Sequence, residues 1–259
     1  MTEPWATAKR EWAARLLAAL YEQRLLQTWL RDRSQGWELV SGLWSPFYVS
    51  MRSIPSRPAL FRLTVEAAAA LIRNEAPQAN RLIGIAMTGI PIAGAAGYAL
   101  DLPMGFTRKL PDVRTLADLD RTVPAWGSHR LVESDFGPGD RVLLFDDVVS
   151  HFDSKEVALR QLELELEHRG VPDVRVEGVA VLVNRGRDAR ARARAIGLSL
   201  VELVSLHSAD VELLEGVAHE REVAVIGDYI RDYERYQDPD VQAGLRREAE
   251  RFRASGPAD

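Results

Sequence analysis

The sequence contains no cysteine, no long apolar run and very little lysine. Without cysteine, the chain can form neither disulfide bonds nor thiolate metal sites. No apolar stretch approaches the roughly 20 residues that a membrane-spanning helix needs. Only three of the 33 basic residues are lysines, namely Lys9, Lys109 and Lys155. A single arginine on a helix face is therefore weak evidence of function in this chain, whereas two of the three lysines stand beside motifs.

The remaining composition is that of an ordinary globular protein. The chain has 259 residues, of which 46% are hydrophobic, enough for one large domain or one domain with appended helices. The net charge of −5 gives no reason to expect binding to nucleic acid or to an anionic membrane. The first residues do not have the pattern of a signal peptide. We therefore expect a cytoplasmic protein with neither nucleic acid nor membrane as a partner.

Two adjacent acids follow a short apolar run near the middle of the chain. The Gly-Pro-Gly-Asp turn at 137–140 precedes Arg141 to Phe145, which has the pattern of a buried strand. Asp146 and Asp147 come directly after it. In an open α/β sheet, ligands bind at the carboxyl ends of the strands. The two carboxylates can accept hydrogen bonds from a sugar diol there; the alternative is a polar strand end that caps a turn.

Strands alternate with helices along the chain, which is the order typical of a parallel sheet. An amphipathic helix is predicted over 4–33 and a β-hairpin over 36–52, turning near Ser41-Gly42. Further helices are predicted over 56–74, 92–100, 154–169, 211–217 and 222–236. Further strands are predicted over 81–86, 102–107, 174–183 and 196–206.

Four ordered segments resemble the type I phosphoribosyltransferases, and within them the orotate phosphoribosyltransferases. They are Ser-Gly-x-x-Ser-Pro-x-Tyr at 41–48, Met87-Thr88-Gly89, the pair Arg108-Lys109, and the strand with its two acids. The resemblance covers about residues 14 to 235. It implies an α/β fold in which helices flank a parallel sheet, with a small hairpin hood and extra terminal helices.

This resemblance also implies a domain organisation and a reaction. We expect a phosphoribosyltransferase-like domain over 1–235, with its hood at about 34–55, and a helical extension over 236–259. Such an enzyme moves ribose 5-phosphate from 5-phosphoribosyl-1-diphosphate (PRPP) to a pyrimidine, here orotate. The products are orotidine 5′-monophosphate and diphosphate, a step of pyrimidine nucleotide biosynthesis. The family uses Mg²⁺ and commonly forms homodimers.

The resemblance assigns roles to individual residues. The expected catalytic residues are Asp146, Asp147 and Lys109. The expected PRPP-binding residues are Thr88, Gly89, Arg108, Ser150, His151 and Ser154. The expected contacts to the base are Phe47, Tyr48 and Arg185, although a hairpin core is an equally simple explanation of the two aromatics. Magnesium would bind through substrate oxygens, with Asp146 and Asp147 as further candidate ligands.

The phosphate loop, residues 150–154, departs from the family pattern. His151, Phe152 and Asp153 stand where the family has Thr-Gly-Gly-like residues. A nest of backbone N–H groups favours glycine, whereas Phe152 is bulky and Asp153 brings a negative charge. Asp153-x-x-Glu156 also has the pattern of a capping box, which predicts that the helix occupies its own anion site.

Three further departures concern the hood and the lid. Trp44 replaces a lysine of the hood, and Trp126 replaces a His or Tyr of the lid. The lid segment 110–126 is much longer than in the family; Arg114 and Arg121 either supply its positive charge or belong to a solvated loop. These changes leave two alternatives open, a noncatalytic or regulatory protein that binds a nucleotide or a partner, and a transferase for a different base.

Overall fold

The structure is a computed structural model that describes residues 3–39, 42–127, 129–207 and 209–255. The helices are α1 (Glu3–Glu22), α2 (Pro58–Glu75), α3 (Gly89–Leu100), α4 (Leu116–Trp126), α5 (Asp153–Arg169), α6 (Ala189–Ala195), α7 (Glu220–Arg231) and α8 (Pro239–Ala254). The strands are β1 (Leu26–Thr28), β2 (Trp37–Glu38), β3 (Trp44–Ser45), β4 (Phe47–Val49), β5 (Arg81–Gly84), β6 (Met104–Thr107), β7 (Val132–Glu133), β8 (Arg141–Val149), β9 (Arg175–Asn184) and β10 (Ser199–Ser205). Short 3-10 helices cover Ile54–Ser56, Ala209–Leu214 and Arg235–Gln237.

A six-stranded sheet with the order β10-β9-β8-β5-β6-β7 forms the centre of the fold. The pairs β5–β6, β5–β8 and β8–β9 are parallel, and β7 pairs antiparallel with β6 at one edge. Strands of a parallel sheet are covered on both faces and are therefore nearly continuous apolar runs. Val142 to Phe145 in β8 are fully buried, as this rule requires. The predicted α/β fold with a parallel sheet flanked by helices is confirmed.

The chain divides into two compact units. Unit 1 comprises residues 1–9 and 52–204, and unit 2 comprises residues 10–51 and 205–259. Unit 1 contains α2 to α6 and the strands β5 to β9. Unit 2 combines the short strands near the N-terminus with the C-terminal helices, so this division differs from the boundary expected at residue 235.

The core of unit 1 lies between the sheet and α5. Ile83, Leu144 and Val179 contribute from three neighbouring strands and are fully buried. Leu162 of α5 and Phe152 just before it pack into the same cluster. Burial of one such side chain contributes about 1.5–3 kcal/mol. The first turn of α5 is thus fixed to the sheet by apolar packing.

The first helix is shorter than its sequence pattern predicts. It ends at Glu22, and Arg24 has a positive φ of 57°. The backbone turns there, because β1 pairs antiparallel with β4 within unit 2. The predicted helix over 4–33 was therefore wrong beyond Glu22. The predicted hairpin is present as the antiparallel pair β2–β3, although Ser41 at its expected turn lies outside the described residues.

A buried acid organises the described core of unit 2. Glu222 accepts hydrogen bonds from the hydroxyls of Tyr21 and Thr28 and from the backbone N–H of His219. Burial and the bond to Glu222 raise the pKa of Tyr21 to about 12. A buried carboxylate needs hydrogen-bond partners, and Glu222 finds them in α1, in β1 and at the start of α7. These bonds therefore connect the three elements.

Among the described residues, no helix has the length and apolarity that crossing a bilayer requires.

Candidate active site

The two acids lie inside β8, at the point where its neighbour β5 has ended. Pairing with β5 stops at Phe145, whereas pairing with β9 continues to Val149. The strand was predicted to end at Phe145, so this boundary was wrong. Beyond Phe145, the side of β8 that faces β5 is free for the loop after β5. The acids therefore occupy the rim of the sheet where ligands of α/β folds bind.

The two oxygens of Asp146 are both engaged by protein groups. Oδ2 accepts a hydrogen bond from Lys155 Nζ at 2.7 Å, and Oδ1 accepts one from the backbone N–H of Asp147 at 2.9 Å. Lys155 Nζ also donates to the carbonyl of Val148 at 2.7 Å and to Ser154 Oγ at 3.2 Å. The side chain of Lys155 is only 3% exposed. Asp146 thus belongs to a buried ion pair.

The neighbouring acid Asp147 is in a different state. The residue as a whole is partly exposed although its carboxyl group is largely buried, and it is not part of the ion pair. Its pKa is raised well above the usual value by burial of the carboxyl group and by the adjacent charge of Asp146, while Lys155 opposes the rise. The sequence suggested that both acids accept hydrogen bonds from a diol. In the structure the two acids are not equivalent acceptors. Asp147 is the carboxyl group that remains for a ligand.

The loop of residues 87–89, which the family resemblance assigns to PRPP, lies directly against the acids. A Cβ atom on Gly89 would lie 2.5 Å from the carbonyl oxygen of Phe145 and 3.2 Å from Cα of Asp146. Only glycine permits this approach. Thr88 precedes the first turn of α3 and is buried. The structure thus brings Thr88 and Gly89 next to the acids, and their role in binding PRPP stays a prediction.

The phosphate loop differs from the expected arrangement at two positions. Phe152 is fully buried in the core of unit 1, so its ring does not obstruct the loop. The predicted capping box was wrong, because Phe152 is the N-cap residue and α5 begins at Asp153. Ser150 is partly buried, whereas His151 and Ser154 are exposed, so these three residues line the loop surface.

An arginine from α6 binds the two acids of the first turn of α5. Arg192 donates to Asp153 at 2.8 Å and to Glu156 at 2.8 Å. The hydrogen bond from Arg192 lowers the pKa of Asp153. The carboxylate of Asp153 is therefore ionised and paired beside the helix N-terminus, where a phosphate would otherwise be favoured.

The turn after β9 packs against the phosphate loop. Arg185 N donates to the carbonyl of Val149 at 2.9 Å. A Cβ atom on Gly186 would lie 1.7 Å from the carbonyl oxygen of Ser150, so this contact also requires glycine. Asn184 accepts from Gly186 N at 2.9 Å and donates to buried Glu202 at 2.7 Å. The structure thus places Arg185 beside the loop, and Asn184 ties this turn to Glu202 of β10.

The lid segment 110–126 lies within a longer connection between β6 and β7, residues 108–131, and the whole connection is called the lid from here on. It contains α4, whose start is fixed by a reciprocal capping box between Thr115 and Asp118. Arg121 pairs with Asp118 at 2.5 Å. Arg108 lies 5.5 Å from the ring of Trp126. The lid is therefore a folded helical segment; the alternative of a solvated loop was wrong for residues 116–126.

The basic pair at the start of the lid is divided between two environments. Arg108 lies within 3.5 Å of Glu133, at the other end of the lid. Lys109 is exposed, and no ion pair involves it in the part of the chain that the structure describes. Of the two cations, Lys109 is the one whose charge is not already compensated.

The two expected base contacts from the hairpin lie within unit 2. Phe47 is 1% exposed and packs edge-on against Tyr229, with ring centroids 5.8 Å apart. Phe47 thus packs in the core of unit 2, which favours the alternative of a hairpin core over a contact to the base. Tyr48 is partly buried and stacks on Trp37 at 6.2 Å. Trp44, the departure from the family lysine, stacks on Tyr236 at 6.5 Å.

The acids do not form an all-protein metal site. No group of three or more His, Cys, Asp or Glu residues that could hold a metal occurs among the described residues. Asp146 is already paired with Lys155, which leaves Asp147 as a single carboxyl ligand. Mg²⁺ commonly binds through one or two carboxylates together with substrate phosphates. The described residues fit that mode of binding.

Sequence reasoning assigned no role to Lys155, Arg192 or Asn184. Lysine is so rare in this chain that Lys155, next to the phosphate loop, carried a usable signal. Arg192 carried none, because it is one of many arginines. Asn184 carried none either, because its contacts with Gly186 and Glu202 depend on the fold.

Known proteins share both the fold and part of the sequence. No protein-family model matches the chain. The orotate phosphoribosyltransferase of Pyrobaculum aerophilum is 29% identical over 197 residues, which cover 76% of this chain and 91% of that protein. The UMP synthase of Leishmania donovani has a similar structure, with a TM-score of 0.66, 22% identity and coverage of 85% of this chain and 42% of that one. The orotate phosphoribosyltransferase of Aeropyrum pernix gives a TM-score of 0.59 at 23% identity, covering 78% and 97%.

Proposed function

We propose, from the premise that the chain is an orotate phosphoribosyltransferase-like protein with the type I phosphoribosyltransferase fold, that it transfers ribose 5-phosphate from PRPP to orotate. The main support for the proposal is that two loops pack against β8 and the residue after it, each through a glycine that no other residue could replace. Gly89 packs on the strand beside Asp146, and Gly186 packs on Ser150 just after it. Glycine in such loops lets backbone N–H groups come close to an anion, which supports a phosphate-binding role for both loops.

The site can place PRPP by its two ends and by its sugar. The ribose 5-phosphate end lies at the phosphate loop, where the hydroxyls of Ser150 and Ser154 and the side chain of His151 are the available groups. The diphosphate lies at Thr88 and Gly89. Asp147 holds a ribose hydroxyl, and the ion pair of its neighbour keeps the strand end in place. Arg185, beside the loop, is the candidate contact to the base.

The reaction requires placement and charge compensation more than proton transfer. The bond between C1 of the ribose and the diphosphate breaks, a bond from C1 to a ring nitrogen of orotate forms, and the proton of that nitrogen is lost to solvent. Positive charge develops on the sugar and negative charge on the departing diphosphate. Fixed dipoles and cations that face this charge lower the barrier. Lys109, whose charge is uncompensated, is the residue that we assign to the diphosphate.

Mg²⁺ would be held mainly by diphosphate and ribose oxygens, with Asp147 as the protein ligand, and would supply further compensation for the diphosphate. A homodimer and a cytoplasmic location remain predictions. The apolar residues Met87 and Tyr98 near and on α3 are exposed, Tyr98 by 92%, which is consistent with a surface that another copy covers.

Two observations favour the alternative of a noncatalytic descendant. Asp146 is neutralised by Lys155, and Asp153 with Arg192 occupies the start of α5. In this alternative, the fold binds a nucleotide or a phosphorylated sugar without turnover. The two functions differ in a single measurable step.

Orotate absorbance, followed with PRPP and Mg²⁺ present, tests the proposal. We expect orotate to be consumed and diphosphate to be released in equal amounts, and neither change without PRPP. PRPP binding in a calorimeter without turnover of orotate, uracil or other pyrimidines would support the noncatalytic alternative. Absence of both binding and turnover would reject both functions.

A further inference from the structure

The two ends of the lid are joined by the sheet itself. β6 leads into the lid and β7 leads out of it, and Thr107 pairs with Val132 between them. One more backbone hydrogen bond continues this ladder, from Arg108 N to the carbonyl of Leu131 at 2.9 Å. The first and last residues of the lid are thus held side by side by backbone hydrogen bonds. These residues, 108–109 and 131, are called the lid base, and they include Arg108 and Lys109.

Three polar side chains of α5 bind the backbone of this base. Gln161 Nε2 donates to the carbonyl of Arg108 at 3.0 Å. Glu165 Oε2 accepts from the backbone N–H groups of Leu131 at 2.6 Å and of Val132 at 3.3 Å. Arg169 donates to the carbonyls of Val132 at 3.0 Å and of Ser134 at 2.6 Å, and it pairs with Glu165 at 2.6 Å.

The spacing and burial of these side chains indicate a specific arrangement. Gln161, Glu165 and Arg169 are four residues apart and therefore lie on one face of the helix. Gln161 and Glu165 are only 4% and 3% exposed. Buried polar groups need partners, and these two side chains find theirs in backbone atoms at or next to both ends of the lid. Because these contacts are to backbone atoms, they do not depend on which side chains the lid residues carry.

The same helix starts at the phosphate loop. Asp153 is its first residue, and Gln161 follows about 12 Å along the axis, at 1.5 Å per residue. Phe152 and Leu162, both fully buried, fix the helix to the sheet. One rigid element thus connects the loop expected to bind the 5-phosphate with the base of the lid expected to approach the diphosphate.

We propose that Gln161, Glu165 and Arg169 are positioning residues that hold the lid base, and with it Lys109, at a fixed distance from the phosphate loop. They touch no substrate and act through the backbone of Arg108 and Leu131. This inference rests on the proposed function, since it assigns the lid cation to the diphosphate of PRPP. A shift of the lid base weakens contacts to the diphosphate and leaves those to the ribose 5-phosphate end unchanged.

The test compares two ligands by calorimetry in the full-length protein with Mg²⁺. PRPP carries the diphosphate, whereas ribose 5-phosphate occupies only the acid and phosphate-loop contacts. The variants are Gln161→Met, which keeps the length of the side chain, and Glu165→Gln, which keeps one acceptor. Glu167→Gln is the matched control, because Glu167 is on the same helix with its side chain 65% exposed.

We expect Gln161→Met to weaken PRPP binding on the order of tenfold, since small displacements of binding groups have large effects. Binding of ribose 5-phosphate should change less than about twofold, and Glu167→Gln should change neither affinity. Glu165→Gln should weaken PRPP binding in the same selective way whenever its melting temperature shows that it is folded.

Equal losses for both ligands, or no loss in folded Gln161→Met, would overturn the inference. Failure of the wild-type protein to bind either ligand would instead reject the proposed function. The two failures are distinguishable, because the first appears only in the variants.

Discussion

Replacement of Lys155 by methionine should destabilise the protein strongly. The change keeps most of the apolar stem and removes the ammonium group that binds Asp146 and the carbonyl of Val148. Both members of the ion pair are buried, with side-chain exposures of 3% and 11%, so solvent does not screen the loss. Removal of one partner from a buried ion pair costs about 3–5 kcal/mol. The melting temperature should fall by roughly 6–20 °C for a chain of this size.

The size of the effect should depend on the charge that is left behind. Lys155→Met combined with Asp146→Asn should be at least about 1 kcal/mol more stable than Lys155→Met alone, because no unpaired carboxylate remains. Arg160→Met is the matched control on the same helix. Arg160 pairs with Glu163 at the surface, so its loss should cost about 0.5 kcal/mol or less.

Urea denaturation of the four proteins measures these differences. A loss below about 1 kcal/mol in Lys155→Met would show that the ion pair is not buried in solution. A double variant no more stable than the single one would show that the unpaired acid is not the cause.

Three further variants probe the strand end and its loops. Asp147→Asn should raise the melting temperature at pH 7. The pKa of Asp147 is raised in the folded protein, so its carboxyl group favours folding only below its unfolded pKa and loses that contribution as the pH rises. The difference in melting temperature between variant and wild type should therefore vanish towards about pH 4. Gly186→Ala should cost about 2–4 kcal/mol in urea denaturation, since Cβ would meet Ser150, whereas Gly244→Ala, in an open part of α8, should add about 0.5–1 kcal/mol. Asp153→Asn should tighten PRPP binding about two- to fivefold in calorimetry, because a competing negative charge leaves the helix N-terminus; weaker binding would contradict this account of the phosphate loop.

Five of the six strands of the sheet were predictable from the sequence because they are largely apolar runs bounded by turn residues, whereas the two-residue edge strand β7 was not predicted. The start of α5 was also predictable to one residue, and so was its end, where Gly170 adopts φ 63° as the C′ residue. Local pattern is sufficient for such elements, since the covering layers demand apolar residues at every position of a buried strand. The same reasoning placed the acid pair at the rim of the sheet, although β8 continues beyond the acids to Val149.

Features that depend on long-range contacts were not predictable. The helix over 4–33 continued in the sequence pattern because Leu25 and Leu26 have suitable spacing, but the pairing of β1 with β4 ends it early. The role of Phe47 depends on Tyr229, which is distant in sequence.

The helix in the lid could have been predicted. The sequence Thr115-x-x-Asp118 has the pattern of a capping box, but the comparison with a family whose lid is shorter directed attention away from it.

The states of the two acids could not be read from their order. Adjacent aspartates alternate across a strand, so one of them turns towards α5 and the other does not. Which one meets a cation depends on where the stem of Lys155 ends, nine residues further on. The sequence therefore indicated a diol clamp of two acids, whereas the structure leaves Asp147 for a ligand and uses Asp146 to support it.

Calorimetric titration of PRPP into the wild-type protein and into Asp147→Asn, both with Mg²⁺, tests the role of the sheet rim most directly. We expect one saturable site per chain in the wild type and affinity at least about tenfold weaker in the variant, the effect of losing a hydrogen bond to a charged group. Equal affinities in the two proteins, or no binding by the wild type, would contradict this expectation.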